Sequence, residues 1–148
     1  MTRTGTLLLL LAALSFPACH RGLPPDQAVA NLQSPDIKVR QRAANSLHAD
    51  SNAPATVIPV LLQTYQAEQV PLVRGAILIA LGTWGAPEAK PVIDQAVLTA
   101  ADPDSRRWAA RALKYWMIQT GALPQGADLP PGWPYGQPGY PPAFVVVR

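Results

Sequence analysis

The sequence predicts an all-α fold, a short α-solenoid of about three helical hairpins followed by a proline-rich irregular C-terminal tail. Three observations carry this reading. Arginine stands seven residues before leucine three times, as Arg40 with Leu47, Arg74 with Leu81 and Arg106 with Leu113. The arginines recur after 34 and then 32 residues, a spacing in the range of stacked helical-pair repeats, which bury their apolar faces only against their neighbours. Each arginine follows a similar phrase, Ser34-Pro35-Asp36, Val70-Pro71-Leu72 or Asp102-Pro103-Asp104, that opens a helix-forming run.

Six helices in three pairs follow along the chain. The outer helices are expected over 26–32, 54–65 and 87–99. The second carries Ile58, Leu61, Leu62 and Tyr65 at helical spacing, and the third Val92, Ile93, Ala96 and Val97. Proline in a first turn gives up no helical hydrogen bond, and Pro59 and Pro91, in step 32 residues apart, shift the starts of these two helices later or bend them. The inner helices are expected over 36–48, 71–83 and 103–119. Ser34, Asp50 or Ser51, and Asp102 are their caps, and Gly82, Gly85 and Gly121 their stops. Counted from each arginine, positions three, four and seven share one helix face. They hold Ala43-Ala44 and Leu47, Ile77-Leu78 and Leu81, and Ala109-Ala110 and Leu113. Small residues there permit close helix approach. Trp84 and Trp116, each three residues past its leucine, occupy equivalent positions, as packing residues that close the bottom of a repeat or, alternatively, as part of a ligand surface.

The first residues address the chain. Arg3 precedes an unbroken apolar run from Leu7 to Leu14, too short for the roughly 20 residues of a membrane-spanning helix, so residues 1–18 read as a signal peptide. The segment from Leu14 to Cys19 resembles the lipobox of bacterial lipoprotein precursors. Ala18 matches its small residue, while Phe16 and Pro17 depart from the usual leucine and small residue. The resemblance implies cleavage before Cys19 and acylation of its thiol. Ordinary cleavage beside an incidental thiol and an uncleaved apolar tail are the alternatives. Cys19 is the chain's single cysteine, so no internal disulfide forms. At about 0.8 kcal/mol per buried methylene, two or more acyl chains hold a protein on a bilayer. Residues 19–24 then form a linker, 25–121 the repeat domain and 122–148 the tail.

Near-half apolar content (49%) argues against disorder in the body of the chain, and a net charge of +3 with 14% charged residues does not suggest a nucleic-acid surface. The repeated motif, Asp36-Ile37-Lys38-Val39-Arg40 with Ala43-Ala44 and Leu47, and Asp102-Pro103-Asp104 with Arg106, Ala109-Ala110 and Leu113, resembles HEAT-like repeats, particularly the short phycobilisome-lyase type, over residues 26–120. The resemblance implies a binding scaffold. It also implies that Arg40, Arg74 and Arg106 are structural and pair with turn acids, with Asp36, Asp102 and Asp104 nearby. The middle repeat lacks that acid.

Catalysis has little to draw on. His20 and His48 are too few for a metal site that needs three or four ligands, so no metal or other cofactor is expected. No His-Glu dipeptide is present, which excludes the iron-dependent hydroxylases built on similar repeats. Ser34, Ser46, Ser51 and Ser105 lack an activating histidine and acid, and no glycine-rich phosphate loop appears. The chain is therefore expected not to be an enzyme.

What remains is surface. If the inner helices line a concave side, the residues one, five and eight after each arginine form its exposed column: Gln41, Asn45 and His48, then Gly75, Ile79 and Gly82, then Arg107, Arg111 and Lys114. The last three, with Trp108 beside them, are the candidate partner site, suited to an acidic peptide, anionic lipid or acidic glycan by charge and cation–π contact. The alternative is that basic residues near a helix C-terminus favour its dipole and keep the last repeat soluble. Residues 123–142 hold seven prolines among Trp133, Tyr135 and Tyr140. They are either a recognition tail or a flexible extension or strap over the open end of the stack. Phe144 to Val147 is a short β-prone run. The functional expectation is a lipid-anchored scaffold or adaptor in a bacterial cell envelope, at the outer membrane in preference to the inner, that binds a protein partner. The alternative is a noncatalytic accessory subunit of an envelope enzyme or assembly complex. The sequence leaves the oligomeric state open.

Overall fold

The computed structural model describes residues 23–49 and 55–135. Its helices are α1 (Pro25–Asn31), α2 (Ile37–Ala49), α3 (Val57–Ala67), α4 (Pro71–Trp84), α5 (Lys90–Thr99) and α6 (Pro103–Gln119), with a 3-10 turn at Pro87–Ala89 before α5. No strand occurs among the described residues. The successive pairs α1/α2, α3/α4 and α5/α6 are hairpins, and α2, α4 and α6 pack side by side as an inner layer. The chain is a short all-α solenoid.

Burial follows from position in the stack. Helix α4 lies between α2 and α6 and is covered on most sides, with nine of its fourteen residues buried. Helices α2 and α6 each bury only three residues. The three leucines at position seven, Leu47, Leu81 and Leu113, are at most 2% exposed, and each full burial is worth roughly 1.5–3 kcal/mol. The small residues at positions three and four sit beneath them in one core, with Ala43, Ala44 and Ala109 fully or almost fully buried.

The middle of the expected exposed column is not exposed. Gly75, Ile79 and Gly82 are all buried, because α6 presses directly onto α4. A Cβ at Gly75 would fall 2.6 Å from Trp108 Cγ, and one at Gly82 would fall 2.3 Å from the carbonyl oxygen of Ala112. Gly82 is therefore a packing residue inside α4 and not its stop. The stop is Gly85, whose φ of 62° is the left-handed value a C-terminal cap favours.

Other ends move for local reasons. Helix α3 begins at Val57, placing Pro59 in its first turn, and α5 begins at Lys90 after the 3-10 turn, placing Pro91 second. Both prolines thus avoid the helix interior. Asp36 caps α2 by accepting the Lys38 N–H at 2.8 Å, while the Ser34 hydroxyl accepts the Asp36 N–H one step earlier. Asp102 caps α6 through the Ser105 N–H at 2.9 Å. Asp50, Ser51 and Pro54 lie outside the described residues, as do the apolar run 7–14, Cys19, His20, Tyr140 and Phe144 to Val147.

After Gly121 the chain turns and runs back along α6. The Leu123 N–H reaches Met117 O at 2.9 Å, Asp128 pairs with Lys114, and the Tyr135 hydroxyl donates to Arg106 O at 3.0 Å. The partners on α6 step backward along that helix as the tail steps forward. Pro134 and Tyr135 are buried, so residues 121–135 are a strap laid along α6.

Candidate functional site

Each repeated arginine performs the same local task. Arg40 Nη1 donates to Ser34 O at 2.8 Å, Arg74 Nη1 to Glu68 O at 3.2 Å, and Arg106 Nε to Ala100 O at 2.9 Å. In every case the acceptor lies six residues earlier, in the turn that joins outer helix to inner helix. Carbonyls at a helix end have no intrahelical donor, and a guanidinium on the following helix supplies one. The arginine thereby fixes the hairpin angle. The acid expected to accompany it is different, however. Arg40 bonds Glu68 of the next repeat, whereas Asp36 serves as a cap.

That acid makes the first junction between repeats a closed one. Arg40 Nε meets Glu68 Oε2 at 2.7 Å, and Arg40 Nη2 meets Oε1 at 3.3 Å. The N–H groups of Gln69 and Val70 add bonds to Oε1 at 3.0 and 2.9 Å. Burial pushes the Glu68 carboxyl up, yet the Arg40 hydrogen bond, the Val70 N–H, the Arg40 charge and the Gln69 N–H outweigh it. They hold the group below the usual carboxylate range. The bonded carboxylate lies in the wall of a broad surface cleft of about 670 Å³ between the first two repeats.

The second junction repeats the geometry without the acid. Glu68 and Ala100 are equivalent: each is the extended C-terminal cap of its outer helix, and each carbonyl receives the arginine six residues on. Alanine has no carboxylate to offer. The Arg74 guanidinium instead lies over the Tyr65 ring at 4.5 Å, and its Nε and Nη2 have no acceptor among the described residues. It lines a cleft of about 310 Å³ with Tyr65, Gln69, Ser105, Asp102 and Trp108. Asp102 is at the rim, exposed, and its carboxyl is held below the usual range by its bonds to Ser105.

The structure divides the residues expected to form a basic partner site. Trp108 turns away from the other three, into the contact with Gly75 and the Arg74 cleft. Arg107 pairs with Asp104 at 2.7 Å with both side chains well exposed, a pairing worth little in water. Arg111 bonds the Tyr115 hydroxyl at 3.1 Å, and Lys114 pairs with Asp128 of the strap. Opposite them, His48 stacks on Tyr115 with ring centroids 5.5 Å apart and meets Thr83 Oγ1 at 2.8 Å. Small residues on α4 allow α2 and α6 to touch across it, and this join closes part of the expected concave face.

Trp116 is a packing residue, with its indole N–H on Ala86 O at 3.1 Å and Lys90 Nζ 5.3 Å from its ring. Among the described residues no three metal-ligating side chains converge, and no helix is long and apolar enough to cross a membrane. The Glu68 partnership was missed by sequence reasoning that looked for acids beside each arginine. The signal was present 28 residues on, at the same place in the following repeat.

A family model for HEAT repeats matches residues 25–114, more than half of the chain. No curated protein and no solved structure matches it.

Proposed function

We propose, since the chain belongs to the HEAT-repeat family, that it is a noncatalytic scaffold that captures a protein partner along the edge where its outer helices turn into its inner ones. The Arg74 cleft carries this reading. A guanidinium edge and two aromatic faces converge there on a solvent-open space, the mixture of apolar anchor and oriented donor that recognises side chains. The Arg107, Arg111 and Lys114 stripe is the weaker face, because each of its cations already has a partner on this chain.

The tethering is part of the same proposal. An acylated Cys19, reached through the short linker 19–24, places the repeats at the surface of a bacterial envelope membrane, the outer membrane in preference to the inner. The apolar run ahead of a single cysteine supports this. A Cys19→Ala protein is expected to leave the membrane fraction, and a processed form that stays there would remove the anchor from the proposal.

The binding surface is tested by a photo-crosslinking residue placed at Gln69, which lines both clefts, or at Gln95 on the exposed side of α5. In cells, a discrete adduct is expected from position 69 and none from position 95. Equal labelling at both, or none at either, would count against a cleft-edge scaffold.

A further inference from the structure

The two junctions differ at the position that Glu68 and Ala100 share, and that difference describes a ligand. At the first junction the chain supplies Glu68 to the Nε and Nη2 edge of Arg40, followed by an extended stretch that leads into Pro71. At the second, Ala100 leaves the same edge of Arg74 facing the cleft, held in place by the Glu68 carbonyl and the Tyr65 ring. We infer that the Arg74 cleft binds a single acidic side chain on an extended segment of a partner protein, which takes the place Glu68 fills for Arg40. This rests on the scaffold reading and names the chemistry of its partner.

Three features specify the occupant. A guanidinium fork with two parallel donors matches a carboxylate in bidentate fashion, and such charge-assisted pairs are about twice as strong as neutral ones. The Trp108 and Tyr65 rings flank the fork and favour aliphatic neighbours beside the acid. Asp102 adds one negative charge at the rim, so a run of acids is disfavoured. Asp102 is itself engaged by the hydroxyl and the N–H of Ser105, so it stays at the rim as a charge and leaves the fork to the ligand. The chain's own Ala67-Glu68-Gln69-Val70-Pro71-Leu72 has this pattern.

The test uses the full-length protein in detergent and a blocked hexapeptide of that sequence, with a second peptide carrying Gln in place of Glu. The Arg74 Nε–H and the Trp108 indole N–H are followed by NMR. The Glu peptide is expected to shift both signals with a dissociation constant on the order of a millimolar, and the Gln peptide to bind roughly tenfold more weakly. Ala100→Glu supplies the missing acid internally and is expected to raise the melting temperature and abolish peptide binding. Should that variant fail to fold, Arg74→Lys keeps the charge, loses the fork and is expected to bind the Glu peptide no better than the Gln one. Equal shifts from both peptides, no shift from either, or undiminished binding by a folded Ala100→Glu protein would overturn the inference. A position-69 adduct obtained alongside such a result would leave the scaffold standing and remove only its acidic ligand.

Discussion

The two junctions between repeats are built from one sequence pattern and are held in opposite ways. Between the first and second repeats, an ion pair with supporting backbone bonds closes the turn edge, and alanines line the helix contact behind it. Between the second and third, the edge is open. Cohesion comes instead from glycine: Trp108 seats on Gly75, and the Ala112 backbone lies against Gly82. An identical arginine is thus a closed lock at one site and an available donor at the other, and the residue that decides which lies in the following repeat. Equivalent positions in a solenoid share a local job but not a partner, because each partner is supplied by a neighbour whose sequence varies independently.

The largest effect is expected where that close approach is broken. Gly82→Ala places a methyl 2.3 Å from a backbone oxygen, which no rotamer change can relieve. Helices α4 and α6 must separate, at a cost of about 3 kcal/mol in the range of overpacked cores. Urea denaturation measures this. A stability change under about 1 kcal/mol would mean that α6 has room to slide and that the second junction is looser than the first.

Next in size is the contrast between the arginines' surroundings. Glu68→Ala strips acceptors from two backbone N–H groups and from Arg40, and about 2 kcal/mol is expected. Arg74→Ala removes one carbonyl bond and one ring contact, for about 1 kcal/mol. Equal losses would erase the distinction between closed and open edges. The same contrast has a pH signature. The Glu68 carboxyl is held below its ordinary value near 4.5, so its stabilisation is complete above that value and is lost as pH falls through the lower folded-state value. Unfolding followed from pH 6 to pH 3 is expected to show an acid-dependent loss that Glu68→Gln reduces, and no counterpart on replacing Arg74.

Much of this fold was legible in the sequence, and for a clear physical reason. The seven-residue interval from arginine to leucine registers the inner helix against its turn and its core at once, and both are local constraints. Pro71 and Pro103 marked the starts of α4 and α6 for the same reason. The Asp102 cap and the Gly85 stop were readable because capping chemistry acts within a few residues. The misreadings share another origin. Gly82 looked like a stop and Gly75 like part of an open column, because a helix pattern does not reveal a neighbouring helix that presses on it. Trp108 sits beside Arg107 in sequence but on a different face in space. The sequence gives the strap only as one of two alternatives, since residues such as Tyr135 and Asp128 acquire partners only through the return path along α6. Burial and the hydroxyl's position on Arg106 O show that tail to be seated, and burial pushes the Tyr135 phenol up to about 12 against the opposing Arg106 charge.

The smallest expected effect concerns the place where the first and third repeats meet across the second. The Thr83 hydroxyl donates its only proton to Ile79 O at 3.0 Å, so it accepts from His48 Nδ1. The neutral imidazole therefore carries its proton on Nδ1, and acid adds the second at Nε2. Burial, and then the Arg111 charge, depress the His48 pKa below its ordinary 6.5. A depressed histidine binds its proton less readily when folded than when unfolded, so stability is full above about 6.5 and declines as pH falls from there toward the lower folded-state value. Urea midpoints at pH 7.5 and pH 5.5 are expected to differ in that direction, and His48→Gln, which can still donate to Thr83, is expected to flatten the difference. If the slope survives the substitution, the contact between α2 and α6 does not govern it, and the central repeat alone would hold its two neighbours together.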